Sequence, residues 1–182
     1  MLLSAVCLLT LLGLIACAEP GTVNEYEVKA AFVFNFTQFV EWPEAAFPDA
    51  ASPVCIGILG DDPFGPILDQ VVQGETVKGR KLVLKRSKRV EDLKNCQVVF
   101  IARSEKARLS QILSGLQGTG ALTVSEIEGC AERGCIINFF LQANKLRFEI
   151  NPEAARSKGL KLSAQLLSLA RIAGPGAVKG TP

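Results

Sequence analysis

Apolar and polar positions follow a helical period at the start of the folded chain. Residues 25–40 place apolar side chains at three- and four-residue steps, which predicts a helix. Asn24 is a suitable N-terminal cap, and Pro43 marks the end of the segment. Apolar side chains also occupy the other faces of this helix. It is therefore expected to be buried on more than one side.

Short apolar runs then alternate with segments of helical period. A continuous apolar run of four to eight residues is typical of a strand covered on both faces of a sheet. The predicted strands are residues 54–59, 81–85, 96–102, 121–125, 136–141 and 146–150. The predicted later helices are residues 63–72, 105–116, 152–159 and 163–173, the last one amphipathic.

The first eighteen residues carry no charged side chain and predict a signal peptide. The apolar run at residues 2–15 is too short to span a bilayer. Two endings fit it: a bacterial lipobox at residues 14–17 that makes Cys17 a lipid anchor, or a cleavage site at residues 16–18 that releases a soluble product. Both predict export, to the periplasm. Residues 22–173 then form a single domain, and the Gly- and Pro-rich residues 174–182 a disordered tail.

Four cysteines follow the leader: Cys55, Cys96, Cys130 and Cys135. In an oxidising compartment they predict two disulfides, and the sequence leaves three pairings open. Spacing favours Cys130 with Cys135, which leaves Cys55 for Cys96. The longer loop contributes more to stability, and the shorter one is the better candidate for easy reduction. A zinc site is disfavoured because the spacing lacks paired C-x-x-C knuckles.

The alternation of strands and helices predicts an α/β fold, a three-layer sandwich with a largely parallel sheet. A polar turn at residues 142–145 adds a terminal antiparallel hairpin. Cys55 and Cys96 begin the first and third apolar strands, and a bridge needs Cα atoms within about 7 Å. Those strands should then be neighbours, as in the flavodoxin-like 2-1-3 order.

Charge and composition exclude several kinds of partner and catalytic mechanism. Twenty basic and eighteen acidic residues give a net charge of +2, too mild for a nucleic-acid partner. The chain has no histidine, which removes Ser-His-Asp and Cys-His catalysis and the commonest metal ligand. We therefore predict no catalytic residue, no metal site and no cofactor.

Gly60, Asp61, Asp62 and Phe64 follow the first apolar strand, where an α/β fold places its ligand crevice. They are also consistent with an ordinary strand-to-helix turn, whose acidic residues suit the helix dipole and repel phosphate. Seven basic side chains within residues 78–89 form either a solvated strand face or a docking patch.

Aromatic residues are concentrated at residues 26–43, which hold the only Tyr, the only Trp and four of the ten Phe. Three of these side chains share one helical stripe and are assigned to the core: Phe32, Phe36 and Phe39. Phe34 and Trp42 fall off that stripe. They are the predicted docking residues.

Several ordered blocks carry a family resemblance: YEVKAAFVFNFTQFVEWP, VCIGILGDDPFG, NCQVVFIARS, ALTVS, INFFLQANKLRFEINPEAA and GLKLSAQLLSLA. Together they span residues 26–173, and the chain resembles the YfiR family. The resemblance implies a periplasmic regulatory protein. The best-known kind binds the periplasmic sensing domain of a membrane diguanylate cyclase and holds it inactive, in a manner affected by disulfide state. It also supports pairing Cys55 with Cys96 and Cys130 with Cys135.

The leading hypothesis is thus an exported, non-enzymatic regulator that represses such a cyclase and lowers cyclic-di-GMP signalling. A second is a small-ligand-binding protein that uses the Gly60–Phe64 crevice. A third is a thiol-disulfide redox protein. The sequence does not show which membrane protein is the partner, whether the chain forms a homodimer, or whether Cys17 is lipidated.

Overall fold

The computed structural model describes residues 24–174. The predicted leader with Cys17, and residues 175–182 of the predicted tail, lie outside this range. The helices are α1 (Glu25–Phe39), α2 (Pro66–Val72), α3 (Leu109–Gly115), α4 (Pro152–Ser157) and α5 (Ala164–Ser168). The strands are β1 (Val40–Glu41), β2 (Val54–Leu59), β3 (Thr76–Val77), β4 (Arg80–Ser87), β5 (Val98–Ile101), β6 (Leu122–Ser125), β7 (Ile137–Gln142), β8 (Lys145–Ile150), β9 (Lys161–Leu162) and β10 (Arg171–Ile172). Three short 3-10 helices cover Glu44–Ala46, Val90–Leu93 and Arg103–Arg108.

One eight-stranded sheet, in the order β10-β8-β7-β6-β5-β2-β4-β3, organises these elements. The central strands from β4 to β7 are parallel, and β8 returns antiparallel to β7 as a hairpin. The strand pair β1 and β9 forms a separate small antiparallel sheet. The predicted α/β sandwich, its 2-1-3 order and its terminal hairpin are confirmed.

Alternate residues of the central strands face two separate cores. Ile58 and Phe100 point into the larger core, beneath α1, α2 and α5, which we call the aromatic face. Leu59 and Ile101 point into the smaller core, beneath α3, which also contains all four described cysteines and which we call the disulfide face. Burial on both sides explains why these strands are continuous apolar runs in the sequence.

Helix α1 begins as predicted, since the Asn24 side chain accepts a hydrogen bond of 3.0 Å from the Tyr26 N–H. Its buried stripe differs by one position from the predicted stripe. The fully buried apolar residues are Ala30, Val33 and Phe36, while Phe32 and Phe39 are half-buried and pack against the same core. Because this helix is apolar on nearly every face, its sequence does not show which face is buried most deeply.

The predicted helix over residues 163–173 is wrong in its second half. Helix α5 ends at Ser168, and Arg171 and Ile172 form β10 beside β8. Tertiary contacts explain the difference, because the Arg171 guanidinium lies 2.5 Å from the Glu149 carboxylate. In addition, the Ala173 N–H donates to the Ile150 carbonyl at 2.7 Å. Helical periodicity is a weak preference that such contacts override.

Two other predicted helices begin later than expected. Helix α2 starts at Pro66, after Gly65 adopts a φ of +52°. The segment before Leu109 is a 3-10 helix rather than the first turns of α3. Within residues 24–174 no helix is both long and apolar enough to span a bilayer.

Candidate functional site

A cleft of about 390 Å³ opens beside the end of β6, between the first turns of α1 and the β7–β8 hairpin. It exists because β7 pairs with β6 only through residues 137 and 138, after which the hairpin continues without that neighbour. The polar lining includes Glu25, Lys29, Arg103, Glu126, Glu128, Asn138, Glu149 and Arg171. The apolar lining is Phe139, Phe140, Leu141 and Leu146.

A buried ion pair forms one wall of this cleft. Lys29 is 2% exposed, and its Nζ donates to a Glu126 carboxylate whose side chain is 3% exposed. Glu25 accepts a second contact from Lys29 at 2.5 Å. Burial alone would lower the pKa of Lys29, but the hydrogen bonds to Glu126 and Glu25 outweigh it and raise the pKa. The lysine is therefore charged in the folded protein.

Tyr26 connects this ion pair to the core. Its hydroxyl donates to Glu126 at 3.2 Å, and its ring meets the edge of Phe64 at 5.8 Å between centroids. Burial, followed by the nearby Glu126 charge, raises the pKa of Tyr26. The tyrosine is thus a neutral donor to the carboxylate. The exposed Arg103 completes the group, with its Nη2 3.7 Å from Glu126.

A second polar cluster forms the opposite wall. Asn138 and Glu149 occupy paired positions on β7 and β8, and the Asn138 amide donates to Glu149 at 3.1 Å. Arg171 binds the other oxygen of Glu149 at 2.5 Å, and its guanidinium lies 3.9 Å from the centre of the Phe140 ring. The Asn138 Oδ1 has no hydrogen-bond partner among residues 24–174. An unsatisfied buried acceptor is uncommon and needs an explanation.

The arrangement favours binding over catalysis. Both buried carboxylates, Glu126 and Glu149, are engaged by cations, so neither is an available base. Across the described chain, no group of three or more His, Cys, Asp or Glu side chains is placed to hold a metal ion.

The predicted crevice residues around Gly60 lie away from this cleft, in a turn that packs against neighbouring side chains. Gly60 has a φ of +98°, and a Cβ there would lie 2.5 Å from the Ser104 hydroxyl, which also accepts the Asp61 N–H. Phe64 is 1% exposed in the aromatic face. Asp62 accepts the Phe64 N–H at 2.8 Å and forms an ion pair with Arg86. These contacts make a closed turn, and none of the four predicted residues lines the cleft.

Sequence reasoning missed the cleft residues, although a signal existed. Lys29 is a charged residue inside an otherwise apolar stretch of helix, and Asn138 interrupts an apolar strand, whereas Glu149 follows the polar alternation of β8. Such residues are rarely buried unless they are paired. Their isolated positions could have indicated a buried polar site, but only the fold shows which of them meet.

The two predicted docking residues differ in their surroundings. Trp42 packs against the aromatic face, and its indole N–H donates to the Gln97 carbonyl at 3.1 Å. Phe34 is half-buried and lies near the exposed Ala31 and Asn35 on the outer side of α1. Both side chains are half-buried, and Phe34 is the one that does not pack against the aromatic face.

Several charges of the basic segment have intramolecular roles. Arg86 contacts the Asp62 and Asp69 carboxylates at 2.6 Å each, and this contact lowers the pKa of Asp69. Arg80 donates to two backbone carbonyls and lies over the Phe47 ring. The outward positions of β4 leave the remaining lysines of the strand in solvent.

The structure pairs Cys55 with Cys96 and Cys130 with Cys135, with Cα atoms 4.5 and 5.2 Å apart. Cys130 and Cys135 are completely buried, whereas Cys55 is half-buried. A thiolate must reach a sulfur atom to reduce a disulfide. Access therefore favours reduction of the Cys55–Cys96 bond, the reverse of the order expected from loop length.

Comparison with known proteins agrees with this architecture. The YfiR/HmsC-like family profile matches residues 26–171. A solved structure described as a conserved domain protein from Vibrio cholerae O1 biovar El Tor strain N16961 has a TM-score of 0.58 and 12% sequence identity. The match covers 83% of this chain and 60% of that one, and at this identity it shows the fold alone. No curated protein matches the sequence. From the family match, the chain belongs to the YfiR/HmsC-like family.

Proposed function

We propose that this protein is an exported regulator that binds the extracytoplasmic domain of a membrane diguanylate cyclase and represses it. The observation that carries the proposal is the family match, which extends over nearly all of the described chain. Family membership supports a periplasmic regulator of diguanylate cyclase signalling. The direct contact, the repression and the dependence on disulfides are our extension of that role to this chain.

The chemistry of the site supports a regulator without enzymatic activity. The chain contains no histidine, and the two buried carboxylates of the cleft are bound by Lys29 and Arg171. A thiol-disulfide enzyme needs an accessible, activated cysteine. The short-loop pair, Cys130 and Cys135, is completely buried instead.

Repression by binding has a thermodynamic requirement. The regulator must bind the inactive conformation of the cyclase more tightly than the active one. Moving a two-state sensor from 1:99 to 99:1 needs a preference of about 10⁴-fold. We propose that opening the disulfides loosens the domain, weakens this preference and releases the cyclase.

We place the docking surface on the outer side of α1, around Phe34. The Phe34 side chain is only half-buried and does not belong to the aromatic-face core. A partly exposed aromatic side chain is a frequent anchor in protein interfaces. Trp42 remains a second candidate, although its indole is already bonded within the domain.

Capture from detergent-solubilised membranes tests the proposal. The exported protein is immobilised, and retained membrane proteins are identified by mass spectrometry. We expect a diguanylate cyclase with an extracytoplasmic domain among them, and its activity in vesicles should fall when the regulator is added. If no cyclase-type sensor is retained, the proposal is wrong.

Matched variants locate the docking surface. Phe34→Ser should lower capture with little change in unfolding free energy, because the side chain lies outside the core cluster. Leu169→Ser is the control, since Leu169 is an exposed apolar residue (64%) at the C-terminal cap of α5, away from α1. Equal loss of capture in both variants would place the contact elsewhere.

A further inference from the structure

We propose that the outer edge of β4 binds an extended, acidic segment of a protein partner, which adds a strand to the eight-stranded sheet. With eight residues β4 is the longest strand of the described chain, and β3 covers only its first part. In recognition of this kind, main-chain hydrogen bonds supply affinity and neighbouring side chains supply specificity. The inference goes beyond the proposed function and stands without it.

The backbone of β4 alternates between β2 and the outer edge. The Ser87 carbonyl accepts the Gly60 N–H at 3.0 Å and therefore faces β2. Successive residues of a strand direct their N–H and C=O groups to opposite sides, so those of Leu84 and Arg86 face outward. Within the described chain, the pairing of β3 stops before it reaches them. An edge of this kind offers its donors and acceptors to another chain.

The two ends of the sheet differ in how well they resist the addition of a strand. Natural proteins protect sheet edges with short strands, bulges, proline or covering segments. At one end, β10 is only two residues long. At the other end, residues 82–87 of β4 pair with β2 residue by residue, without a bulge, and the strand contains no proline. This regularity makes β4 the better template for an added strand.

Two lysines beside this edge select the charge of the added strand. Lys81 and Lys85 are exposed at alternate positions of β4, on the same face of the sheet. Neither forms an ion pair among residues 24–174, since the ion pairs of this segment use Arg86, Lys88 and Arg89. Opposite charges across a strand pair stabilise it, and like charges destabilise it. An added strand with carboxylates on this face is therefore favoured.

The same lysines disfavour a second copy of this chain as the occupant. Pairing β4 with the β4 strand of another copy would bring Lys81 and Lys85 of both copies onto one face of a joined sheet. Like charges repel there. Charge therefore favours an acidic strand over self-association through this edge.

The pattern of the added strand follows from the two faces of β4. On the lysine side, Val83 is 40% exposed. On the other side, Leu84 packs against the aromatic face, and the Arg86 charge is already bound by Asp62 and Asp69. We therefore expect acidic residues on the lysine side and β-branched apolar residues on the side of Leu84.

Hydrogen exchange with a designed peptide tests the inference. The ¹⁵N-labelled exported protein is mixed with an excess of acetyl-TEVEVEVT-amide, which alternates Glu and Val, or with acetyl-TKVKVKVT-amide as the control. We expect only the acidic peptide to slow exchange of the Leu84 and Arg86 amides. The Val83 and Lys85 amides face β2 and should change little. This alternation distinguishes an added strand from general electrostatic attraction.

A matched pair of variants tests the charge contact. Lys85→Glu should weaken binding of the acidic peptide by about tenfold, because an attraction across the strand pair becomes a repulsion. Lys145→Glu makes the same change of charge at an exposed position of β8, several strands away in the sheet. It should leave the affinity nearly unchanged, since salt screens distant charges. Titration of the backbone amide shifts measures both affinities.

Five results would overturn the inference. They are no binding of the acidic peptide, binding without protection of Leu84 and Arg86, equal protection by the two peptides, an equal effect of the two substitutions, and protection that grows with protein concentration alone. The last result would identify a second copy as the occupant. None of them bears on capture of a cyclase from membranes, so the edge and the proposed function can fail separately.

Discussion

The two faces of the sheet are held together by different means. On the aromatic face, the Phe36 ring contacts Phe32, Phe139 and Phe148 with centroids 5.2 to 6.0 Å apart. On the disulfide face the covering helix α3 has only seven residues, and both disulfides lie in that core. A long aromatic helix supplies enough buried area to hold its layer, whereas short elements gain more from covalent links.

Because of this difference, we expect the aromatic face to supply most of the stability and the disulfide face to respond to redox conditions. Reduction would remove the links on the disulfide face, and the aromatic contacts on the other face do not include them. We therefore expect the disulfide face to loosen before the aromatic face when the disulfides open. The aromatic face also contains Lys29, whose ion pair with Glu126 ties α1 to the end of β6.

The largest expected effect comes from the aromatic face. Phe36→Ala should lower the free energy of unfolding by about 5 kcal/mol, near the upper limit for such truncations, because the side chain is 1% exposed. Phe47→Ala is the control and should cost about 1 kcal/mol or less, since that ring is partly exposed and mainly meets Arg80. Urea denaturation measures both. Similar costs would mean that the aromatic cluster does not dominate this face.

The disulfide face should give the next largest effects, in a fixed order. Cys55→Ser with Cys96→Ser opens a link over 41 residues and should cost about 4 kcal/mol on the loop-entropy model. Cys130→Ser with Cys135→Ser opens a link over 5 residues and should cost about 2 kcal/mol. Each double variant is the control for the other in the same urea titration. The reverse order would show that burial of the short loop matters more than loop length.

Much of this fold could be predicted because its signals are local. The apolar runs at residues 54–59 and 121–125 are strands, and the position of Cys55 and Cys96 at strand starts indicated which strands are neighbours. The rotation of α1 and strand β10 could not be predicted. Both depend on ion pairs, Lys29 with Glu126 and Arg171 with Glu149, that join residues far apart in the chain.

The site was harder to predict than the fold. The general rule that ligands bind beyond the carboxyl ends of strands suggested the end of β2. There Gly60 packs closely against Ser104 and the Phe64 side chain is buried, whereas the cleft described above opens at the end of β6. Sequence patterns locate strand ends, but they do not show which end is filled by neighbouring side chains.

The effect expected from the buried ion pair lies between those of the two disulfides. Lys29→Met should cost about 3 kcal/mol, because it leaves the buried Glu126 carboxylate with only Tyr26 and Arg103 nearby. Adding Glu126→Gln should restore part of that loss, since the uncompensated charge is gone. Glu25→Gln is the control and should cost about 1 kcal/mol or less, because Glu25 is 43% exposed. If the double variant were no more stable than Lys29→Met, Lys29 and Glu126 would not be energetically coupled.

The smallest expected effect is on the pH dependence of the free energy of unfolding, to which this ion pair on the aromatic face contributes. The pKa of Lys29 is raised in the folded protein, so its stabilisation is complete below the unfolded pKa of about 10.4. That stabilisation is lost as pH rises through the folded pKa. The raised pKa of Tyr26 acts in the same direction, since unfolding lets the phenol ionise more readily.

Lys158 should oppose this trend and provides the matched control. Burial lowers its pKa, so the folded state disfavours its charged form, and that penalty disappears as pH rises. Urea titrations that start near pH 8 and rise past the unfolded lysine pKa of about 10.4 measure this dependence. The decline in unfolding free energy should be shallower in Lys29→Met than in the natural protein and steeper in Lys158→Met. If Lys29→Met declined as steeply as the natural protein, the Lys29 amine would not be held charged by Glu126, and the aromatic face would depend on packing alone.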